Sequence, residues 1–204
     1  MAKRGRKSAY IVKLTSKDQN LLKALKNVGY LTQQHVQSEI GLSAKRLLNF
    51  QRDNYIEKCA FYNKETKEAE HIYRLTDRGK TLCQTQLNLD NFYKSASARH
   101  DLGVANTYFS FSTEDREKWK TEGDMRNIMH QHIERVENEG DVARADELRA
   151  MLRNGTMSVP DAGILKDGRF VAIEVITSSY GLVELAAKEA YVEEMGFEYK
   201  TIKI

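Results

Sequence analysis

Val159-Pro160-Asp161-Ala162-Gly163-Ile164-Leu165-Lys166-Asp167-Gly168-Arg169-Phe170-Val171-Ala172-Ile173-Glu174-Val175-Ile176 decides how the second half of this chain folds. Two runs rich in Ile, Val and Phe flank an Asp167-Gly168 pair, the combination that marks two strands joined by a tight turn. Asp161 stands near the start of one strand and Glu174 within the other. Hairpin strands can bring two such carboxylates close together, and paired carboxylates suit Mg²⁺, a hard ion that prefers oxygen ligands. A metal held there can activate water and neutralise charge on a phosphodiester. A helix from Leu182 to Met195 and a last strand from Phe197 to Ile204 close the chain in βαβ-like fashion.

Upstream of this hairpin, residues 127–153 are highly charged and read as helix, with Leu148 and Leu152 spaced for one face. Trp119-Lys120-Thr121-Glu122 reads as a short strand, and His100 begins a helix that ends near Phe111. Residues 86–99 read as a linker whose Leu87, Leu89, Phe92 and Tyr93 are apolar.

The period changes again in the first half. Ser16, with Gln19 three residues on, is expected to cap a helix whose stripe is Leu21, Leu22, Leu25 and Val28 and which Gly29 ends. Thr32 is expected to cap a second helix with Val36 and Ile40 inward. Ser43 is expected to cap a third, AKRLLNFQRDN, burying Leu47, Leu48 and Phe50 and turning Lys45, Arg46, Asn49 and Arg52 outward. Tyr55–Tyr62 and His71–Leu75 read as strands around a polar loop, and a further helix starts at Thr76-Asp77-Arg78-Gly79.

Charge separates the two halves. Residues 1–100 carry 19 Lys/Arg against 9 Asp/Glu, and residues 101–204 carry 13 against 20. The basic half suits a polyanion, because each neutralised phosphate releases condensed counterions. The first residues include Lys3, Arg4, Gly5, Arg6 and Lys7, a basic arm over residues 1–15 suited to a minor groove through Arg4 and Arg6. That arm resembles the core of an AT-hook, with Lys7 standing where that motif has proline.

Three helices, a β-hairpin and the phrase Tyr73-Arg74-Leu75-Thr76-Asp77-Arg78-Gly79 resemble the winged helix-turn-helix of bacterial regulators over residues 16–85. The resemblance implies that the third helix enters the major groove of double-stranded DNA and that the hairpin touches the backbone or minor groove. By position it implies contacts from Ser43, Lys45, Arg46, Asn49 and Arg52, with Lys64 and Lys67 on the wing. Lys and Arg suit guanine edges and phosphates, and Asn suits adenine.

Pro160-Asp161 and Glu174-Val175-Ile176 resemble the motif of the PD-(D/E)XK, or restriction-endonuclease-like, fold over residues 100–204. That resemblance implies a Mg²⁺ site on Asp161 and Glu174, with Glu122 as an additional acid. The motif lysine is replaced by Ile176; Lys188, on the following helix, is the candidate substitute. The fold class expected is therefore α+β, a winged helix followed by an α/β nuclease-like domain.

Taken in order, the winged-helix pattern, His100-Asp101-Leu102-Gly103-Val104-Ala105-Asn106, Trp119-Lys120-Thr121-Glu122, Pro160-Asp161-Ala162 and Ile173-Glu174-Val175 are similar to the replication-relaxation family of plasmids, phages and conjugative elements. The resemblance implies a mobile-element protein acting in DNA replication, mobilisation or processing. Three readings stay open. The nuclease-like half is an inactive platform that recruits a protein partner or dimerises; or it is an active Mg²⁺-dependent endonuclease; or the chain is a transcriptional regulator. A homodimer is the default for a winged helix reading a two-fold site.

Other classes are excluded or unsupported. No apolar run approaches the roughly 18–20 residues that cross a bilayer, so a cytoplasmic chain with no membrane partner is expected. Cys59 and Cys83 form no CxxC pair, the five histidines lack zinc spacing, and no P-loop or dinucleotide fingerprint occurs.

Overall fold

A computed structural model of the chain describes residues 9–63, 67–95, 97–178 and 180–204. The chain is α+β and divides into two units, Met1–Asp90 and Asn91–Ile204. Residues 86–99, expected as a linker, fall on both sides of that division. Asn91, the first residue of the second unit, donates its side-chain amide to Asp124 at 2.8 Å.

In the first unit, α1 (Ser16–Val28) is capped by Thr15 rather than Ser16. Its capping box uses Asp18, whose carboxylate accepts the Thr15 N–H at 2.7 Å and the Thr15 hydroxyl at 2.8 Å. An aspartate there satisfies two donors with one charged group, which a glutamine one residue later cannot match. Leu21, Leu22, Leu25 and Val28 are all buried, as their helical spacing predicts. Strand β1 (Leu31–Thr32) leads into a π-helical turn, His35–Glu39, where the Thr32 hydroxyl accepts the His35 N–H and Val36 and Ile40 are buried.

Helix α2 (Ala44–Arg52) follows, capped by Ser43. It buries Leu47 and Phe50, while Leu48 is 42% exposed. Adjacent helical residues point about 100° apart, so Leu47 and Phe50 fill the inward arc and Leu48 is left outside it. β2 (Ile56–Asn63) and β3 (Glu68–Leu75) form an antiparallel hairpin, and β1 pairs on the other side of β3. α3 (Asp77–Leu87) starts at the Thr76 cap and runs five residues beyond Leu82.

The second unit starts with α4 (Ala98–Phe109), the short α5 (Thr113–Arg116) and β4 (Trp119–Thr121). The charged stretch becomes two helices, α6 (Glu122–Asn138) and α7 (Val142–Asn154), separated at Gly140. β5 (Ala162–Lys166) and β6 (Arg169–Ile176) then pair antiparallel through a turn whose Asp167 and Gly168 both have positive φ, 50° and 77°. That double left-handed geometry is why Asp-Gly works here. α8 (Leu182–Met195) crosses over to β7 (Glu198–Lys203), which lies parallel to β6. The sheet order is β4-β5-β6-β7.

Side chains alternate across β6. Phe170 and Ala172 join Met125, Met129, Ile133, Leu148, Met157 and Tyr191 in the core formed with α6, α7 and α8. Val175 faces α4 instead: a Cβ on Gly103 would lie 2.7 Å from its Cγ1, so α4 approaches β6 where no side chain fits. This close approach brings the first turn of α4 towards the strand that carries Glu174. Among the described residues no helix is long and apolar enough to cross a membrane.

Candidate functional site

The hairpin does bring Asp161 and Glu174 together. The Asp161 backbone N–H donates to Glu174 Oε2 at 3.0 Å, and the Val175 N–H donates to Asp161 Oδ2 at 2.8 Å. Each acid is thus bound by the backbone of the other's strand, which locks both carboxylates at one end of the β5–β6 ladder. Glu174 is fully buried and Asp161 nearly so.

Lys188 completes this pair. Its Nζ lies 3.0 Å from Glu174 Oε1 and donates to the Val159 carbonyl at 2.6 Å. Lys188 reaches Glu174 from α8, two turns into the helix. The Tyr180 hydroxyl donates to the same Glu174 Oε1 at 2.6 Å. Burial and the adjacent Asp161 charge push the Glu174 carboxyl above the ordinary range, against the opposing pull of Lys188 and Tyr180.

His100 and Asp101 also enter the cluster, from the first turn of α4. His100 Nε2 lies 3.0 Å from Asp161 Oδ2, and its Nδ1 lies 3.4 Å from Asp101 Oδ1 and 3.3 Å from the Tyr93 hydroxyl. The Ser95 hydroxyl donates to Asp101 Oδ2. Burial alone would lower the imidazole pKa, but hydrogen bonds to Asp101 and Asp161 outweigh it and raise it to about 10. Burial, followed by the charges of Asp161, Asp101, Glu122 and Glu174, raises the Tyr93 phenol.

Glu122 lies at the margin of this group. It ends in an ion pair with Arg126 at 2.6 Å on the first turn of α6, and no hydrogen bond ties it to Asp161 or Glu174. Among the described residues no group of three or more His, Cys, Asp or Glu side chains is arranged to hold a metal ion. The donor chemistry of the Asp161–Glu174 pair nonetheless fits Mg²⁺. That ion is commonly held by one or two carboxylates, with waters and substrate phosphate completing its shell. Asp161 Oδ1 accepts no hydrogen bond from the described residues, and Glu174 Oε2 accepts only one.

His100, Asp101 and Tyr180 were not legible as site residues. His100 and Asp161 are 61 residues apart, and His100-Asp101 reads in sequence as the start of a helix and as part of a family phrase, with no site role attached to either residue. Tyr180 lies in the connection between β6 and α8, where no periodicity aims a side chain.

In the first unit, the outward residues of α2 divide into two groups. Lys45 and Arg52 are exposed and Asn49 is half-buried. Arg46, expected to project outward, instead turns its guanidinium onto Asp18, with Nε 3.0 Å from Oδ1 and Nη2 2.7 Å from Oδ2, and donates to the Lys13 carbonyl. A buried carboxylate needs a cation, and the planar fork of Arg matches it bidentately. The Ser43 hydroxyl is engaged as the α2 cap, accepting from the Arg46 N–H. Lys67 is exposed in the hairpin connection. Arg4, Arg6 and Lys64 lie outside the described residues. Residues 1–90 hold 17 Lys/Arg against 9 Asp/Glu, and residues 91–204 hold 15 against 20, so the charge separation follows the division into units.

No protein-family model, curated protein or solved structure matches this chain.

Proposed function

We propose that the chain is a DNA-binding protein whose first unit is a winged helix and whose second unit is a nuclease-like domain of the PD-(D/E)XK kind, acting in the processing, replication or mobilisation of element DNA. The observation that carries the reading is the ammonium of Lys188 against Glu174, beside Asp161. Two carboxylates can hold Mg²⁺, and with a neighbouring ammonium they suit the charge that develops in phosphodiester hydrolysis. The antiparallel β4-β5-β6 order, with β7 parallel to β6 after a helical crossover, supports the same reading. For the first unit, support comes from the helix order, the β2–β3 hairpin and the basic balance of residues 1–90.

Under this reading Asp161 and Glu174 hold Mg²⁺, which supplies a polarised phosphate and an activated water when bound. Lys188 orients and neutralises at Glu174. Lys45, Asn49 and Arg52 meet DNA from α2, and Lys67 meets it from the hairpin. The test incubates the full chain with supercoiled plasmid in Mg²⁺ or Mn²⁺. Metal-dependent nicked or linear product is expected, and it should be lost in Asp161→Ala and in Lys188→Ala.

A second reading is favoured by one observation. Glu174 is fully buried, and its Oε1 already accepts from both Lys188 and Tyr180. On that reading the second unit is an inactive platform and the chain only binds DNA. Wild-type protein that shifts a labelled duplex in fluorescence anisotropy but yields no product with either metal would establish it.

A further inference from the structure

Leu48 stands exposed on a helix that has a buried side to offer. The inward arc of α2 is filled by Leu47 and Phe50. At about 100° per residue, Lys45 and Arg52 lie almost in line on the opposite side, with Leu48 on one flank of that line and Asn49 on the other. A lone apolar side chain on a protein surface needs no special reason. The neighbours of Leu48 supply one. Among the described residues, the side chains of Lys45 and Asn49 make no hydrogen bond or ion pair. Ser43 and Arg46, by contrast, are engaged within the fold.

This face is held from both ends. The Arg46 guanidinium binds Asp18 of α1 at the start of the helix. At its end, the buried Asp53 accepts the Ile11 N–H at 2.7 Å and the Tyr10 N–H at 3.1 Å. The Tyr10 ring then lies 5.2 Å from the Arg52 guanidinium. Side chains on a helix fixed in this way keep their places when a ligand arrives, which a surface needs in order to read a polyanion and not only attract it.

At 1.5 Å per residue, Lys45 and Arg52 are about 10 Å apart along the axis, or about three base-pair steps of 3.4 Å. The two cations therefore bracket a short run of base pairs, with Leu48 and Asn49 between them. Base edges in the major groove carry hydrogen-bond donors and acceptors and a single kind of apolar group, the C5-methyl of thymine. A leucine set against a donor or acceptor would strip its water and return no hydrogen bond. Set against the thymine methyl, it removes apolar surface from water on both sides.

We propose that Leu48 is a specificity-determining residue of the α2 face, packing on the C5-methyl of a thymine in the DNA site. This rests on the DNA-binding reading of the first unit and goes beyond it by naming a base that the site contains.

The test uses the full chain. Wild-type protein first enriches a binding site from a random duplex pool. Duplexes of that site are then made with each thymine replaced singly by deoxyuridine, which lacks only the methyl group, and binding is read by fluorescence anisotropy. Wild type should lose about fourfold in affinity at one or more of these thymines, the effect of burying one carbon. Leu48→Ala should bind the thymine and deoxyuridine forms alike. Leu48→Met keeps an apolar side chain of similar reach and should keep the discrimination. Leu48 is exposed, so neither substitution removes a core contact. Lys45→Ala should weaken both forms equally and lower the slope of log K against log salt by about 0.9, one phosphate contact, with the thymine preference retained. Wild type indifferent to every deoxyuridine, Leu48→Ala that discriminates as wild type does, or a pool that yields no enriched site would each overturn the assignment of Leu48. Failure of the wild-type chain to bind any duplex at low salt would instead overturn the DNA-binding reading itself.

Discussion

Lys188 and His100 show how single residues decide the state of the second unit. Lys188 Nζ faces a fully buried Glu174, so its removal leaves an uncompensated carboxylate in the interior. Breaking a buried pair in this way costs about 3–5 kcal/mol. Lys188→Ala should therefore lower the urea midpoint of the second unit, read by emission of its single tryptophan, Trp119. Lys188→Met combined with Glu174→Gln should restore much of the loss; no recovery would show that the pair is not what holds this region. His100 contributes with the opposite charge arrangement. Its folded pKa is about 10 against about 6.5 for the free side chain. Its contribution is therefore complete below about pH 6.5 and is lost as pH rises through about 10. The Trp119 urea midpoint should fall between pH 6.5 and pH 9.5, and should fall less in His100→Gln. Equal falls in both proteins would remove His100 as the cause. Much of the paired-acid geometry was legible: a two-residue turn sets the register of β5 on β6, and register places Asp161 beside Glu174. His100 was not legible, because nothing local to residue 100 records a strand sixty residues on.

Elements in this chain are set by caps and by close approaches as much as by apolar stripes. α1, α2 and α3 begin at Thr15, Ser43 and Thr76, three side chains that each accept a backbone N–H. The last cap belongs to the phrase Leu75-Thr76-Asp77-Arg78-Gly79, and its glycine has a steric reason. A Cβ on Gly79 would lie 1.9 Å from the Tyr55 carbonyl oxygen, so α3 packs directly on the backbone at the start of the hairpin. Backbone cannot rotate away as a side chain can. Gly79→Ala should destabilise the first unit by about 1–3 kcal/mol, the usual range for overpacking, despite the higher helix propensity of alanine. Thermal melting followed by far-UV circular dichroism, where the first unit contributes without Trp119, checks this; an unchanged or raised melting temperature would contradict it. Helical periodicity identified α1 with its buried stripe and the Leu47 and Phe50 positions of α2. It misplaced the α1 cap by one residue and counted Leu48 as inward, because local pattern does not say how wide the covered arc of a short helix is.

At the scale of the whole molecule, two units of opposite charge balance carry separate cores. The only tryptophan lies in the second unit, buried against Tyr108 and Phe111. Unfolding by urea should therefore give different midpoints by Trp119 emission and by far-UV circular dichroism; on the proposed DNA-binding role of the first unit, added duplex DNA should raise only the transition that Trp119 does not report. Coincident transitions that shift together would show that the units unfold as one. Sequence alone determined the α+β class, most of the helices and strands, the tight β5–β6 turn and the charge separation, because each depends on neighbours within a few residues or on composition. Tertiary structure alone decided that Lys188 reaches Glu174, that His100 and Asp101 join Asp161, that Arg46 turns inward to Asp18, and that Asp53 holds the residues before α1. Those choices rest on charges removed from water, and a buried charge takes whichever partner the fold brings within about 3 Å, however far away it lies along the chain.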